Sequence, residues 1–306
     1  MASPGAHVEL ADLAALQHQV RGLSLRPHQA VHSLLAGRHA SRMRGRGLDF
    51  EEIRGYLPGD DIRTIDWRGT ARTGEPHVRV YTEERERPVL LLVDQRIGMY
   101  WGTVRDMKSV TAAQAAAVLA WTAVGGDDRV GGIVFDDSSM TEIRPQRSRA
   151  AVMQLLSAVA DRNVAMRADT DVEPAPDMLD RALAGAERLA GHDYLVVVIS
   201  DFDVDHAMAQ KRLLRIARNN DVVGVVVHDP SATDLPAAGE LVVSDGELQI
   251  ELPGGGARQR VQEFSSSRIA NVLAWQQSTG ATMLPVSTAE PALDQIRHLL
   301  GVGVTR

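Results

Sequence analysis

Cysteine is absent from the 306 residues. That removes disulfides, thiolate zinc sites and cysteine nucleophiles, and it suits a reducing compartment, so a cytoplasmic protein is the expectation. The opening residues, MASPGAHVELADLAALQHQV, lack a basic start followed by an apolar run, and no signal peptide is expected. Long hydrophobic runs are missing too. The most apolar stretches, PVLLLV and YLVVVIS, are of strand length, far short of the roughly 18–20 residues of a membrane helix. Positive charge is not in excess either: the net charge of −7 gives the whole protein no attraction to nucleic acid or anionic lipid. Three chemical signatures are also missing. There is no GxxxxGKS/T phosphate loop, no GxGxxG opening the first crossover and no GxSxG elbow to present a serine.

What remains is the composition of a folded protein, with 44% hydrophobic and 24% charged residues in a chain long enough for one large domain or two modest ones. PVLLLVD (88–94) is a continuous apolar run ending in aspartate, as expected of a strand buried on both faces of a parallel sheet. Met107, Val110, Ala117, Val118, Trp121 and Val124 mark one face of an alanine-rich helix, so Trp121, Met107 and also Met153 read as packing. Strands follow at 129–135, 194–201, 221–229 and 281–286. Helical patterns fill 148–162, 177–190, 205–220, 257–278 and 290–300, and a hairpin is expected around Asp245-Gly246. This alternation predicts a Rossmann-like, doubly wound, mostly parallel α/β sheet over 88–306. Ligands of such sheets sit beyond the carboxyl ends of strands, where strand order reverses, and Asp94 and Asp201 are expected there.

Residues 1–87 differ. Two short helices, near 8–20 and 27–36, precede a segment in which ten arginines between Arg21 and Arg72 face six acids. Its centre is GYLPGDDIRTIDWRGTAR (55–72). Pro58-Gly59 supplies turn chemistry, and Asp60 and Asp61 can accept backbone N–H groups. Arg54, Arg63, Arg68 and Arg72 can grip Asp60, Asp61, Asp66 or a partner's carboxylates through bidentate contacts. Trp67 and Trp101 lie among polar and turn residues, the setting of an exposed binding anchor. A small N-terminal α/β module carrying this basic stretch is expected over 1–87.

The run RGRGLDFEEIRGYLPGDDIRTIDWRGTAR, with HVRVYTEERERPVLLLVD, MKSVTAAQAAAVLAW, DDRVGGIVF and VVVISDF, resembles the signature of the domain of unknown function 58 family, from about Gly37 to Val227. The resemblance implies a von Willebrand factor A-like fold and an association with MoxR-type AAA+ ATPases. It also implies a metal-ion-dependent adhesion site, in which Asp-x-Ser-x-Ser after the first strand holds Mg²⁺ with a later Thr and Asp. In DQRIGM (94–99) Asp94 stands at the first position, but Arg96 and Gly98 replace both hydroxyls. Asp201 matches the later Asp, and Thr170 is a loosely aligned candidate for the Thr.

A hard divalent ion wants oxygens in an octahedral array, so two readings stand open. In one, Asp94 and Asp201, with Asp203, still bind Mg²⁺ weakly through water. In the other, the Arg96 guanidinium takes the ion's place and neutralises the carboxylates, leaving no cofactor. Close carboxylates in a partly desolvated cleft repel, and a tethered, permanently charged arginine suits the second reading.

The function so implied is non-catalytic protein–protein interaction, as accessory to a MoxR-type ATPase that matures or remodels a client complex. Arg96 is expected to pair with a partner's carboxylate, with Arg54, Asp60, Asp61, Arg63, Asp66, Trp67 and Arg72 as further contacts. The rivals are a Mg²⁺-dependent binding module and a hydrolase using the Asp94/Asp201 cleft. Nucleic-acid binding through 21–72 is disfavoured by its interleaved acids. In DFDVDH, Asp203 and Asp205 read as loop and helix-cap residues beside His206. A relay of Ser200, His228 and Asp229 has no elbow to support it.

Overall fold

The computed structural model describes residues 5–25, 48–57, 60–83, 86–167, 172–203, 206–232, 241–244, 249–252 and 256–300. In chain order the elements are α1 (Leu10–Ala15), β1 (Leu48–Gly55), α2 (Trp67–Thr73), β2 (His77–Glu83), β3 (Pro88–Asp94), α3 (Lys108–Gly125), β4 (Arg129–Phe135), β5 (Met140–Gln146), α4 (Arg149–Ala165), α5 (Asp177–Leu189), β6 (Leu195–Ser200), α6 (His206–Ile216), β7 (Asp221–His228), β8 (Leu241–Ser244), β9 (Gln249–Leu252), α7 (Gly256–Thr279), β10 (Thr282–Ser287) and α8 (Ala292–Leu299). They form two compact units: residues 1–39 with 87–306, and residues 40–86.

The larger unit is built on a six-stranded sheet of order β10-β7-β6-β3-β4-β5, parallel except for β5. Its central strand β3 is buried along its whole length, which is why its sequence is a continuous apolar run. Alternate side chains serve opposite layers. Val89, Leu91 and Val93 join α1, α3, α4 and α8 on one face. Leu90 and Leu92 join α5, α6 and α7 on the other. Helices thus cover both faces, the doubly wound arrangement expected from the alternation. From β3 the chain moves outward through β4 to β5, then returns to β6 on the opposite side of β3. Strand order reverses between β3 and β6, and their carboxyl ends carry Asp94 and Asp201.

Small residues let the layers approach. Ala112, Ala113, Ala115, Ala116, Ala117, Ala120 and Ala123 of α3 have no accessible surface. A Cβ at Gly132 of β4 would lie 2.5 Å from the Leu91 carbonyl oxygen and 2.7 Å from Leu155 Cδ1, so only glycine fits.

Three features are not specified by the sequence pattern. MTEIRP (140–145), for which the sequence pattern sets neither strand nor helix, belongs to β5, an antiparallel edge strand in which Ile143 alone is buried. With one inward apolar residue it has no alternation to read, and Pro145 is tolerated because the strand is an edge. β1 and β2 form a separate antiparallel pair with a register shift between Phe50 and Glu52. Finally, α1 belongs to the larger unit and not with residues 40–86. Leu13 is fully buried, and the Trp121 Nε1–H donates to its carbonyl at 3.0 Å.

The expected hairpin is present as β8 and β9, while its Asp245-Gly246 turn lies outside the described residues, as does the helix expected near 27–36. No described helix is long and apolar enough to cross a membrane.

Leu13→Ala should lower unfolding free energy by about 2–5 kcal/mol, measured by urea denaturation of the full chain. A change under about 0.5 kcal/mol, the range of surface substitutions, would separate α1 from the core.

Candidate functional site

Asp94 ends β3 with no accessible surface, and Asp201 follows β6 with 6%. Two buried carboxylates at adjacent strand ends demand cations or donors. Arg96 supplies both. Its Nε lies 3.0 Å from Asp94 Oδ1 and its Nη2 2.7 Å from Asp94 Oδ2, while its backbone N–H donates to Oδ1 at 3.0 Å. Nη2 also faces Asp201 Oδ1 at 3.8 Å, and Nη1 donates to the carbonyls of Pro176 and Asp203, each at 3.4 Å. From β6, the Ser200 hydroxyl donates to Asp94 Oδ2 at 2.6 Å. Burial works against the charge on Arg96, but Asp94 and then Asp201 and Asp137 outweigh it, so its pKa rises above the ordinary arginine value.

Asp201 is held from two further directions. Lys108 Nζ, at the start of α3, hydrogen-bonds its Oδ2, and Arg268 of α7 lies 3.7 Å from the same oxygen. Burial alone would raise the Asp201 pKa, yet Lys108, Arg268 and Arg96 together hold it below the ordinary aspartate value. Arg268 reaches Asp203 Oδ1 as well, at 3.0 Å. The bend that brings these groups together passes through Phe202, whose φ of 55° is left-handed. Such a conformation costs a bulky residue of order 1–3 kcal/mol. Phe202 is fully buried, edge-on to Trp275 at 5.8 Å, and that packing holds the turn.

The donor set does not suit a magnesium-class ion. Both oxygens of Asp94 are already engaged, position 96 supplies a guanidinium, and position 98 has no side chain. Among the described residues no group of three or more His, Asp or Glu is placed to hold a metal. Thr170 and Asp205 lie outside the described residues. Arg96 keeps 7% of its side chain accessible and directs its nitrogens inward, so a contact with a partner's carboxylate is not open to it in this arrangement.

Elsewhere on the same edge, Asp229 follows β7 and fastens the loop before α3. It accepts from the Thr103 N–H at 2.8 Å, the Thr103 hydroxyl at 2.6 Å, the Thr288 hydroxyl at 2.6 Å and the Ser231 N–H at 3.0 Å. Burial pushes its carboxyl up, but these donors outweigh it and the pKa falls below the ordinary value. Trp101 Nε1 donates to Ser231 Oγ at 3.2 Å, so this tryptophan serves the same fastening. Ser200 bonds Asp94, and Asp229 bonds threonines and serine, so a Ser–His–Asp relay is not assembled among the described residues. Among the described residues His228 Nδ1 is buried without a hydrogen-bond partner, and burial lowers its pKa.

In the smaller unit, Arg54 grips Asp60 in a bidentate pair, both distances 2.8 Å, and Asp60 also accepts the Leu57 N–H at 2.8 Å. That arginine and then the Leu57 donor lower the Asp60 pKa. Asp61 caps a short turn by accepting the Arg63 N–H at 2.9 Å. Asp66 is 7% exposed, whereas Trp67 is 69% exposed, and Arg63, Arg68 and Arg72 are exposed. Pro58 and Gly59 lie outside the described residues.

Sequence reasoning missed Lys108 and Arg268. A lysine in the first turn of α3 opposes the helix dipole and so signals a needed anion. Arg268, far along α7, carries no such signal.

Fold and site together define an α/β protein whose strand-order reversal is closed by an arginine-bridged pair of aspartates. The chain belongs to the family described as "Protein of unknown function DUF58", whose model matches residues 52–265. It is similar to "Uncharacterized protein Rv1480" of Mycobacterium tuberculosis and "Uncharacterized protein Mb1516" of Mycobacterium bovis. Each is 33% identical over 231 residues, covering 74% of this chain and 70% of the relative.

Arg96→Met should cost about 3–5 kcal/mol by leaving Asp94 buried without its cation, and adding Asp94→Leu should recover at least half. Denaturant midpoints read both. The lowered Asp201 pKa contributes stability that is complete above the unfolded value of about 4 and is lost as pH falls through the folded one. Asp201→Asn should therefore flatten the acid limb of stability against pH below about 4. An unchanged limb would remove Asp201 from that role.

Proposed function

We propose that this chain is a non-catalytic protein–protein interaction protein, an accessory to a MoxR-type AAA+ ATPase acting on the maturation or remodelling of a client complex. In this reading the larger unit is a von Willebrand A-like domain in which a guanidinium occupies the adhesion-site position and no metal is needed. The observation that carries it is the Arg96 guanidinium seated against Asp94 and facing Asp201, at the edge where an α/β sheet offers its ligand site. A permanently charged, tethered group supplies there the positive charge that the resemblance assigns to Mg²⁺. Among the described residues no nucleophile and base are assembled at the cleft, which supports binding over turnover. Because Arg96 faces inward, recognition falls to the exposed surfaces, and Arg96 keeps the cleft closed.

Affinity purification from the native cell, with mass spectrometry, tests the partner. Wild type should recover an AAA+ ATPase, and Arg268→Glu, at the partly exposed rim of the cleft, should lose it. Wild type recovering none overturns the reading. Calorimetric titration tests the metal: neither Mg²⁺ nor Mn²⁺ should bind saturably below the millimolar range, and binding abolished by Asp94→Ala would refute the metal-free site.

A further inference from the structure

In the smaller unit several described apolar side chains lie on the outside. Among its described residues, Val78 is the apolar side chain that is buried, at 2% exposure. Ile53, Leu57, Ile62 and Trp67 are 47, 61, 66 and 69% exposed. A two-stranded pair with one short helix is marginal by itself, and these four described apolar side chains face outward.

The charges are sorted as well. Asp60 is committed to Arg54 and to the Leu57 N–H, Asp61 to the Arg63 N–H, and Asp66 is buried. Arg63, Arg68 and Arg72 are exposed, and none forms an ion pair among the described residues. Arg68 and Arg72 are four apart and line one side of α2, with Trp67 on the adjoining side. Asp60 and Asp66 are thus withdrawn from the surface, Asp61 and Glu75 stay exposed, and three guanidinium groups without an ion pair share the stretch with an exposed indole and isoleucine.

We propose that this face docks an acidic, apolar segment of another protein. Carboxylates pair with Arg63, Arg68 and Arg72, and an aliphatic or aromatic side chain packs on Trp67 and Ile62. The inference rests on the interaction role proposed above and names its surface and the chemistry of its partner. A nucleic-acid backbone carries phosphates but no aliphatic groups to cover Ile53, Leu57 and Ile62. A lipid surface is a poor fit for a seven-residue helix, since interfacial helices are long, continuous amphipaths.

Fluorescence anisotropy on the full chain tests this with four probes. They are a labelled peptide alternating glutamate and leucine around one tryptophan, its glutamine-for-glutamate counterpart, a single-stranded oligonucleotide, and vesicles containing phosphatidylserine. The acidic peptide should bind wild type at least tenfold more tightly than its neutral counterpart. Arg68→Glu with Arg72→Glu should weaken it tenfold or more, and Trp67→Ala severalfold. Absence of peptide binding, equal binding by the variants, or preference for oligonucleotide or vesicles overturns the proposal. So does a fall in Tm beyond about 5 °C in these variants, larger than surface substitutions produce, because it would mean that the face is packed within the chain. Recovery of the ATPase undiminished by Trp67→Ala would sink this surface and leave the adaptor reading standing. Peptide binding by the wild type that the variants lose, with no ATPase recovered, would do the reverse.

Discussion

The pairing of Arg96 with Asp94 is the interaction on which the ligand edge depends. A parallel sheet brings strand ends together, and here two of them end in aspartates removed from water. Left alone, each charge would carry the desolvation cost of a buried ion, and the two would repel. The remedy is partly local, because Arg96 stands two residues from Asp94 and is delivered by the same turn. It is also distant: Ser200, 106 positions along the chain, closes on the same carboxylate. Asp94 thereby joins β3 to β6 at the reversal of strand order, while Lys108 and Arg268 draw α3 and α7 toward Asp201.

Much of this architecture was legible because burial on both faces writes an unbroken apolar run. PVLLLVD and RVGGIVF became strands over the same residues as read, and the long helices differ at their ends by a few residues. What escaped was whatever burial does not write. β5 shows one inward residue, so its seven positions carry no period. α1 reads as part of an N-terminal module until Leu13 is seen beneath Trp121. At the site, the replacement of both hydroxyl positions in DQRIGM pointed to Arg96 facing the aspartates. The inward direction of its nitrogens could not be read, because Pro176 and Asp203 come from distant loops.

Fold and family say less about activity than about form. Rossmann-like sheets host many chemistries, and function has to be argued from the groups at the edge. Those groups neutralise one another almost completely, which is the character of a structural clamp. In the smaller unit Arg54 holds Asp60 and Asp66 is buried, while Arg63, Arg68, Arg72 and Trp67 are exposed.

The fastening at Asp229 has a different physical basis from the clamp beside it. Its side-chain and backbone donors are all uncharged, so no countercharge is there for dissolved ions to shield. The loop carrying Thr103, with Val104 67% exposed at its tip, is therefore anchored in a way that ionic strength barely touches. One edge of one sheet thus holds its acids in two ways, by opposite charge and by neutral donors, and salt reaches only the charged rim, where Arg268 and Asp203 pair with 25% and 65% of their side chains exposed.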